Sequence, residues 1–343
     1  MGATMSDIAA KAGTSVAAVS VALNGAKSKT LRVSEDTRLR ILQAAEELGY
    51  RRNALAGALA TGRSMVLGLM LPNMVAYTEH DPFFSLVTTG VNACAAVHSY
   101  NVMLYAAAAE DEGARAAKMI DRRIDGLILV NPPTDTPIYA EAAAYNIPVV
   151  SIICRPDENE YTVNSDDYNG GSLATRHLLD LGHRRIAHLV GNPTVVTSEP
   201  RLHGYLDALK SGGVAADPHL SLDGGFSKAK GYESTARLLK LPKYRRPTAI
   251  FAANDLSAHG ALDAIHEAGL QVPQDISVVG YDDTWYATVT RPQLTSVKMH
   301  VHDLGREAAN MLVAHLDGAT VAKKHRVLPV SLTVRESSGP APK

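Results

Sequence analysis

Residues 1–50 predict a small all-helical head, and residues 63–338 predict a large α/β body. Three observations carry this reading. The block Met5–Asn24 contains two short amphipathic stretches placed around Gly13. From Met65 onward, short apolar runs alternate with segments of helical period, as expected for mainly parallel sheets flanked by helices. Finally, 343 residues exceed the size at which a single hydrophobic core keeps growing, so two or three folding units are expected.

The head is read in chain order. Thr4 precedes the first helix with Asp7 three residues on, a capping-box-like start whose carboxylate suits the positive helix end. Ile8, Ala9 and Ala12 form one apolar face, and Gly13 ends the helix where a left-handed residue is needed. Ser15 caps the second helix, whose inner face carries Val19 and Leu23 at i, i+4 spacing. The outer face keeps Val16, Ala17, Ser20 and Val21 small enough for close approach to another surface. Such a unit is a helix-turn-helix, whose second helix enters the DNA major groove. A third helix runs from about Ser34 to Leu48, started by Ser34, Glu35, Asp36 and Thr37, with Leu39, Ile41, Leu42 and Ala45 facing inward. Lys27, Lys29 and Arg32 lie in the loop before it, either tracking phosphates or simply solvated.

The segments Ser15-Val-Ala-Ala-Val-Ser-Val-Ala-Leu-Asn-Gly25, Val33-Ser-Glu-Asp-Thr-Arg38 and Glu47-Leu-Gly-Tyr50 closely resemble the lac repressor family of bacterial transcription regulators. The resemblance continues to Glu336. It implies a helix-turn-helix head (1–50), a hinge (51–62) and a core of two Rossmann-like, periplasmic-binding-protein-like lobes (63–338). The first lobe is expected to hold about 63–160 and 294–324, and the second about 161–293 and 325–338. The tail, 339–343, is expected to be disordered. A homodimer reading a roughly palindromic double-stranded operator follows from the same resemblance, as does control by a small sugar-like effector. No cofactor or metal is implied.

Base contacts are expected from Val16 and Ala17 and, one turn later, from Ser20 and Val21. Most family members carry arginine at the position of Val21. Arginine reads guanine bidentately, worth ~1–3 kcal/mol of discrimination, whereas valine touches only a thymine methyl. The operator should therefore depart from the common family pattern there. Thr4, Thr14, Ser15, Asn24 and Thr37 are candidate phosphate contacts, each of a type that equally serves a cap or turn. In the hinge, Asn53 caps a helix too short to be stable alone in water. The resemblance places Leu59 as the apolar wedge that enters the minor groove and bends the duplex. Gly57 stands where the family has a larger residue, at a cost of about 0.5–1 kcal/mol of helix stability relative to alanine.

In the body, strands are read at about 65–71, 101–106, 125–130, 148–153, 161–164, 186–190, 219–222, 248–253, 277–281 and 294–299, with one or two more in 325–334. Helices fall at about 84–98, 110–123, 168–181, 200–211, 228–239, 255–268 and 302–316. Ligands of open α/β sheets bind beyond the carboxyl ends of strands. Those ends bring Phe83 and Phe84, Arg201, Asn254 and Asp282 into view. A guanidinium fork with fixed acceptors suits vicinal hydroxyls or a carboxylate, and an aromatic suits a ring face. The resemblance matches Arg201, Asn254, Asp282 and one of the two phenylalanines to effector-binding positions. Asn254 and Asp282 also fit as simple caps, Phe84 as a core residue, and Trp285 as a cover for the pocket. His183-Arg184-Arg185 fits a positive C-terminal helix cap.

Composition narrows the alternatives. Hydrophobic content of 46% and charged content of 20% are those of an ordinary globular protein. The net charge is −1, divided between +3 over residues 1–62 and −4 over the remainder, so phosphate contact belongs at the head. Cys94 and Cys154 show no metal-ligand spacing and suggest no disulfide framework, as in a reducing cytoplasm. No apolar signal region or membrane-length stretch is present. An enzyme reading lacks a dinucleotide loop, a phosphate loop and a nucleophile elbow. A small-molecule receptor without DNA function is opposed by the helix-turn-helix. The sequence therefore points to a ligand-responsive transcriptional repressor, cytoplasmic and non-enzymatic.

Overall fold

The computed structural model describes residues 2–24, 32–51, 57–58, 61–71, 82–105, 120, 123–133, 136–156 and 160–343. The chain divides into two compact units, residues 1–65 and 66–343.

The first unit is a three-helix head: α1 (Met5–Ala12), α2 (Val16–Asn24) and α3 (Glu35–Glu47). Its caps form as local chemistry dictates. The Asp7 N–H donates to Thr4 Oγ1 at 3.3 Å, while the Thr4 N–H returns a bond of 2.8 Å to Asp7 Oδ2. Gly13 closes α1 at φ +62°. The core joins fully buried Ile8, Val19 and Ile41 with six small alanines, and Leu23 and Leu48 pack at its edge. Two expectations fail on α3, where Leu39 and Leu42 are 59% and 41% exposed. The buried stripe is Ile41, Ala44 and Ala45, continued by Leu48. That i, i+3, i+4, i+7 row leaves Leu39 and Leu42 on other faces. Within the hinge, Gly57, Ala58 and Thr61 are helical, and the Gly62 N–H donates to Ala58 O at 2.8 Å. Asn53 and Leu59 lie outside the described residues, as do Lys27 and Lys29 of the loop; of the helix expected at 110–123 only Ile120 and Arg123 are described, and neither is helical.

The second unit holds two six-stranded sheets among the described residues. The strands are β1 (Val66–Met70), β2 (Asn101–Tyr105), β3 (Gly126–Val130), β4 (Val149–Ile152), β5 (Tyr161–Ser165), β6 (Ile186–Val190), β7 (Ser221–Asp223), β8 (Ala249–Ala252), β9 (Ser277–Asp282), β10 (Thr295–Lys298), β11 (His325–Leu328) and β12 (Ser331–Thr333). One sheet runs β11-β5-β4-β3-β1-β2 and the other β12-β10-β9-β8-β6-β7. Only the β10–β12 pairing is antiparallel among the described strands. The flanking helices are α4 (Pro82–Val97), α5 (Ile138–Ala144), α6 (Asp167–Asp180), α7 (Ser198–Ser211), α8 (Lys228–Leu239), α9 (Asp255–Glu267), α10 (Tyr286–Val289) and α11 (Val301–Leu316). The strands read as nearly continuous apolar runs because helices bury both faces of a parallel sheet; β3 and β8 are buried along their whole length.

The expected lobe boundaries need correction. Residues 161–165 were assigned to the second lobe, but β5 pairs with β4 of the first sheet, Ser151 opposite Thr162. Residues 294–299 were assigned to the first lobe, but β10 pairs with β9 of the second, Val297 opposite Tyr281. Residues 325–328 were assigned to the second lobe, but β11 pairs with β5. The chain crosses after each of these strands rather than before it. Crossing earlier would leave backbone donors and acceptors along β4 and β9 without their ladder partners. The tail also differs from expectation: the Gly339 N–H donates to Ser277 Oγ at 3.1 Å and the Ala341 N–H to Leu181 O at 2.9 Å. His183 helps hold the tail and does not cap a helix as a cation. It is fully buried between Thr248 Oγ1, Ser277 Oγ and Gly339 O, and burial lowers its pKa. Arg184 is the cap, its Nη1 donating to Leu179 O at 3.1 Å.

Candidate functional site

In the head, the outer stripe of α2 is as the spacing predicts. Val16 and Ala17 are exposed and Ser20 and Val21 half-buried, while Ala18, Val19 and Ala22 face the core. Ser15 Oγ accepts the Ala18 N–H at 3.2 Å, so the polar group at the start of α2 is a cap. Thr4 is likewise held by Asp7, and Thr37 Oγ1 meets Ser34 Oγ at 2.9 Å. Thr14 is half-buried in the turn, and Asn24 is the last residue of α2.

In the body, Phe83, Phe84, Arg201, Asn254 and Asp282 all line one pocket, together with Asn131, Ile153, Val195, Thr197 and Phe226. The lining surrounds about 520 Å³ of space, open solvent included. Arg201 is its organising residue. It sits in the first turn of α7 with its side chain almost wholly buried. Asp167, the first residue of α6, accepts the Arg201 Nε–H at 2.8 Å, and the Tyr281 hydroxyl donates to the same carboxylate oxygen at 3.1 Å. The Tyr281 ring lies 3.6 Å from the guanidinium carbon. Arg201 Nη1 donates to Ala253 O and stands 3.9 Å from Asp282 Oδ1. Burial works against the charge on Arg201, but the neighbouring Asp167, Tyr281 and Asp282 hold its pKa above the ordinary value.

Helix packing sets that geometry. A Cβ at Gly171 of α6 would fall 2.2 Å from Arg201 O, so only glycine lets α6 and α7 approach closely enough for the ion pair. Asn254 does cap α9: its Oδ1 accepts the Ser257 N–H at 2.9 Å. Its amide also donates to Phe226 O at 3.1 Å, which holds that phenylalanine at the pocket wall. Capping and lining therefore coincide in one residue. Phe83 and Phe84 stand edge to face, with centroids 5.3 Å apart, and only Phe83 is fully buried. Trp285 does not line the pocket; it is 55% exposed and stacks on Tyr286 at 4.1 Å.

Sequence reading missed Asn131, Ile153, Phe226, Asp167 and Tyr281. Asn131, Ile153 and Phe226 have positive φ at strand-to-loop turns, as does Asp282. A usable signal was composition: the chain has four phenylalanines, and three of them line this pocket.

Comparison with known proteins agrees with this architecture. Residues 4–53 match the family described as bacterial regulatory proteins, lacI family, and residues 175–338 match a periplasmic binding protein-like domain. The HTH-type transcriptional repressor CytR of Escherichia coli K12 is 31% identical over 346 residues, covering 99% of this chain and 97% of its own. The chain belongs to the lacI family of bacterial regulatory proteins. Among further relatives of this lacI-family protein, the transcriptional repressor PurR of Haemophilus influenzae is 30% identical, with 98% of both chains covered. Among solved structures, the lac repressor dimer bound to operator and the anti-inducer ONPF superposes with a TM-score of 0.85. It is 29% identical and covers 99% of this chain and 100% of its own. The complex of the transcriptional regulator CelR with cellobiose gives a TM-score of 0.73 at 30% identity, covering 98% of this chain and 99% of its own. This lacI-family protein is thus a helix-turn-helix, DNA-binding transcriptional regulator.

Proposed function

We propose that the protein is a homodimeric, cytoplasmic transcriptional repressor whose operator affinity is set by an uncharged, sugar-like molecule held between the two lobes. The observation that carries this is the origin of the pocket lining. Phe83, Phe84, Asn131 and Ile153 come from the first sheet's lobe, whereas Arg201, Phe226, Asn254 and Asp282 come from the second. A molecule touching both favours one arrangement of the lobes, provided its affinity differs between arrangements.

Charge supports an uncharged ligand. Arg201 is already matched by Asp167 and Asp282, so an anionic ligand would meet a carboxylate without a spare cation among the described lining residues. Hydroxyl groups suit a fixed carboxylate and fork, and the phenylalanine faces suit the C–H face of a ring. The mutual satisfaction of Arg201, Asp167 and Tyr281 favours binding over proton transfer, in keeping with a protein that is not an enzyme.

In the head, Val16, Ala17, Ser20 and Val21 are proposed to face bases. Thr4, Thr14, Ser15, Asn24 and Thr37 are proposed to lie near phosphates, with Asn53 and Leu59 completing the hinge contact. With Val21 on the outer stripe, readout leans on phosphates and on DNA deformability. The test is selection of bound duplexes from a random pool by full-length protein at one fixed salt concentration. The expected result is a palindromic site that Leu59→Ala weakens. Failure to enrich any sequence, with or without sugars present, would sink the repressor reading.

A further inference from the structure

The chain leaves β9 through two consecutive residues of positive φ, Asp282 at +97° and Asp283 at +53°. Neither is glycine, and a side chain adopts that backbone only where its surroundings impose it. Asp282 is also the pocket residue whose carboxylate stands 3.9 Å from Arg201. Whatever holds this turn therefore aims Asp282.

The holding group is Asp255, the buried first residue of α9. Its Oδ2 accepts the Thr284 N–H at 2.7 Å and the Thr284 hydroxyl at 2.9 Å. Its Oδ1 accepts the hydroxyl of Ser296 on β10 at 2.6 Å, and Ser296 Oγ in turn accepts the Asp283 N–H at 3.2 Å. The two backbone amides that follow Asp282 thus end on one carboxylate, directly or through Ser296. Gly280 of β9 makes room for it, since a Cβ there would fall 2.7 Å from Asp255 Oδ1. Asp283 is held separately, by an ion pair of 2.7 Å with Arg335 and a bond of 2.8 Å from the Thr333 hydroxyl.

All these bonds are donated to Asp255, so they suit its ionised form. Burial opposes that form, and with the adjacent Asp283 it outweighs the Ser296 and Thr284 bonds, so the Asp255 pKa is pushed up to about 7. Among the described residues no cation pairs with Asp255, because Arg335 is taken by Asp283. The other charged and titratable groups at the turn, Asp282, Asp283, Lys298, His300, His302 and Asp303, line a solvent-open space. A proton on Asp255 Oδ2 collides with the Thr284 N–H, which can only donate. A proton on Oδ1 forces Ser296 to turn its hydroxyl away.

We propose that Asp255 is a positioning residue for the ligand pocket: its carboxylate holds the turn Asp282–Thr284 in its strained form and so sets the Asp282 carboxylate against Arg201. The proposal rests on the ligand-controlled reading above and adds how that site is held. Asp255 does not line the pocket and acts only through Thr284 and Ser296. Neutralising it frees the turn, and the pocket loses the fixed acceptor at Asp282.

The test is amide hydrogen exchange of the full-length protein, read on the peptide carrying residues 282–285. Its protection, referred to the free-peptide rate at each pH, should fall about tenfold or more from pH 8 to pH 6, while that of β3 holds. Asp255→Asn carries no charge at either pH and should show the lower protection at both. Ser296→Ala removes a bond that lowers the Asp255 pKa, so it should move the midpoint up by about one pH unit, and it decides the matter if the first variant does not fold. Protection that ignores pH in the parent, a pH step that survives Asp255→Asn, or an unmoved midpoint in Ser296→Ala overturns the proposal. A surviving step would belong to His300 or His302 instead.

Titration with ribose and with cellobiose at the two pH values carries the test to the pocket. A sugar that binds should bind about tenfold more weakly at pH 6 than at pH 8, and equally at both in Asp255→Asn. Binding indifferent to pH, beside a turn that responds, overturns the positioning role and leaves the ligand-controlled reading intact. Binding by neither sugar counts against that reading alone, because exchange decides the turn without a ligand.

Discussion

Arg201, Asn254 and Asp282 reach the pocket from the second sheet's lobe, whereas the first presents Phe83, Phe84 and Ile153 with the single amide of Asn131. The charged half is complete without a ligand, because Asp167, Tyr281 and Ala253 O already fix the guanidinium. Such a site needs little reorganisation when a ligand arrives, and a hydroxyl in the wrong place finds a donor or acceptor that cannot turn to meet it. The apolar half carries no comparable commitment. Separating it from a ligand costs the re-wetting of ring faces, so that half can move. On the proposed ligand reading, the comparison assigns selectivity to the charged half and motion to the apolar half.

The strongest way to break the comparison is Arg201→Met. It removes the cation from two buried carboxylates, and leaving a buried charge unpaired typically costs ~3–5 kcal/mol. Denaturant unfolding should show a loss of that order, and ligand binding should vanish. A variant as stable as the parent would mean that the charged half is not preorganised.

His188 tests the same lobe through pH. Its ring is fully buried, stacked 4.5 Å from Phe251, with Nδ1 donating to Phe251 O at 3.0 Å. Burial lowers its pKa from 6.5 to about 4. Above pH 6.5 the imidazole is neutral in both native and unfolded chains and adds no slope. Between about pH 6.5 and 4 the unfolded chain takes a proton that the native chain refuses, so stability falls by about 3 kcal/mol in total as pH drops. Thermal melts across that range should be flatter for His188→Phe. Parallel profiles would contradict the assignment.

Effects on the apolar half should be smaller and confined to binding. Phe84→Ala removes a half-buried ring at the pocket and should cost the ligand about 1 kcal/mol. Stability should change less than in Arg201→Met, which calorimetry and melts on one preparation would compare directly. The smallest change is expected from Arg155→Ala, since its exposed ion pair with Glu199 contributes about 0–1 kcal/mol and loses it in salt. A large fall in melting temperature at high salt would assign the pair a weight its exposure does not support.

Which parts of this were legible in the sequence follows from range. The Thr4–Asp7 capping box and the Gly13 turn are decided within a few residues, and both form. Strand positions follow from apolar runs, but the sheet that owns a strand does not. β5, β10 and β11 have the same local pattern whichever neighbour they pair with, and all three were assigned to the wrong lobe. At the pocket, Arg201, Asn254 and Asp282 announce themselves at the ends of strands or starts of helices. Asp167 and Tyr281 meet each other beside Arg201 from elements 114 residues apart, so nothing near them in sequence marks the pairing. Phe226 follows two glycines in a short turn after β7, where no periodicity gives it away. Leu39 and Leu42 misled because leucine suggests a core, yet three-residue spacing from Ile41 decides the face.

Trp285 failed as a lid but has another use. It is the only tryptophan in the chain, stands three residues beyond Asp282, and leans on Tyr286 while half its surface meets water. Ultraviolet emission excited at the red edge therefore comes from one address, without any competing indole to subtract. A shift in its colour or in its quenching by iodide on adding a sugar is a local optical readout of the strand end that bears Asp282, obtained from the unaltered protein.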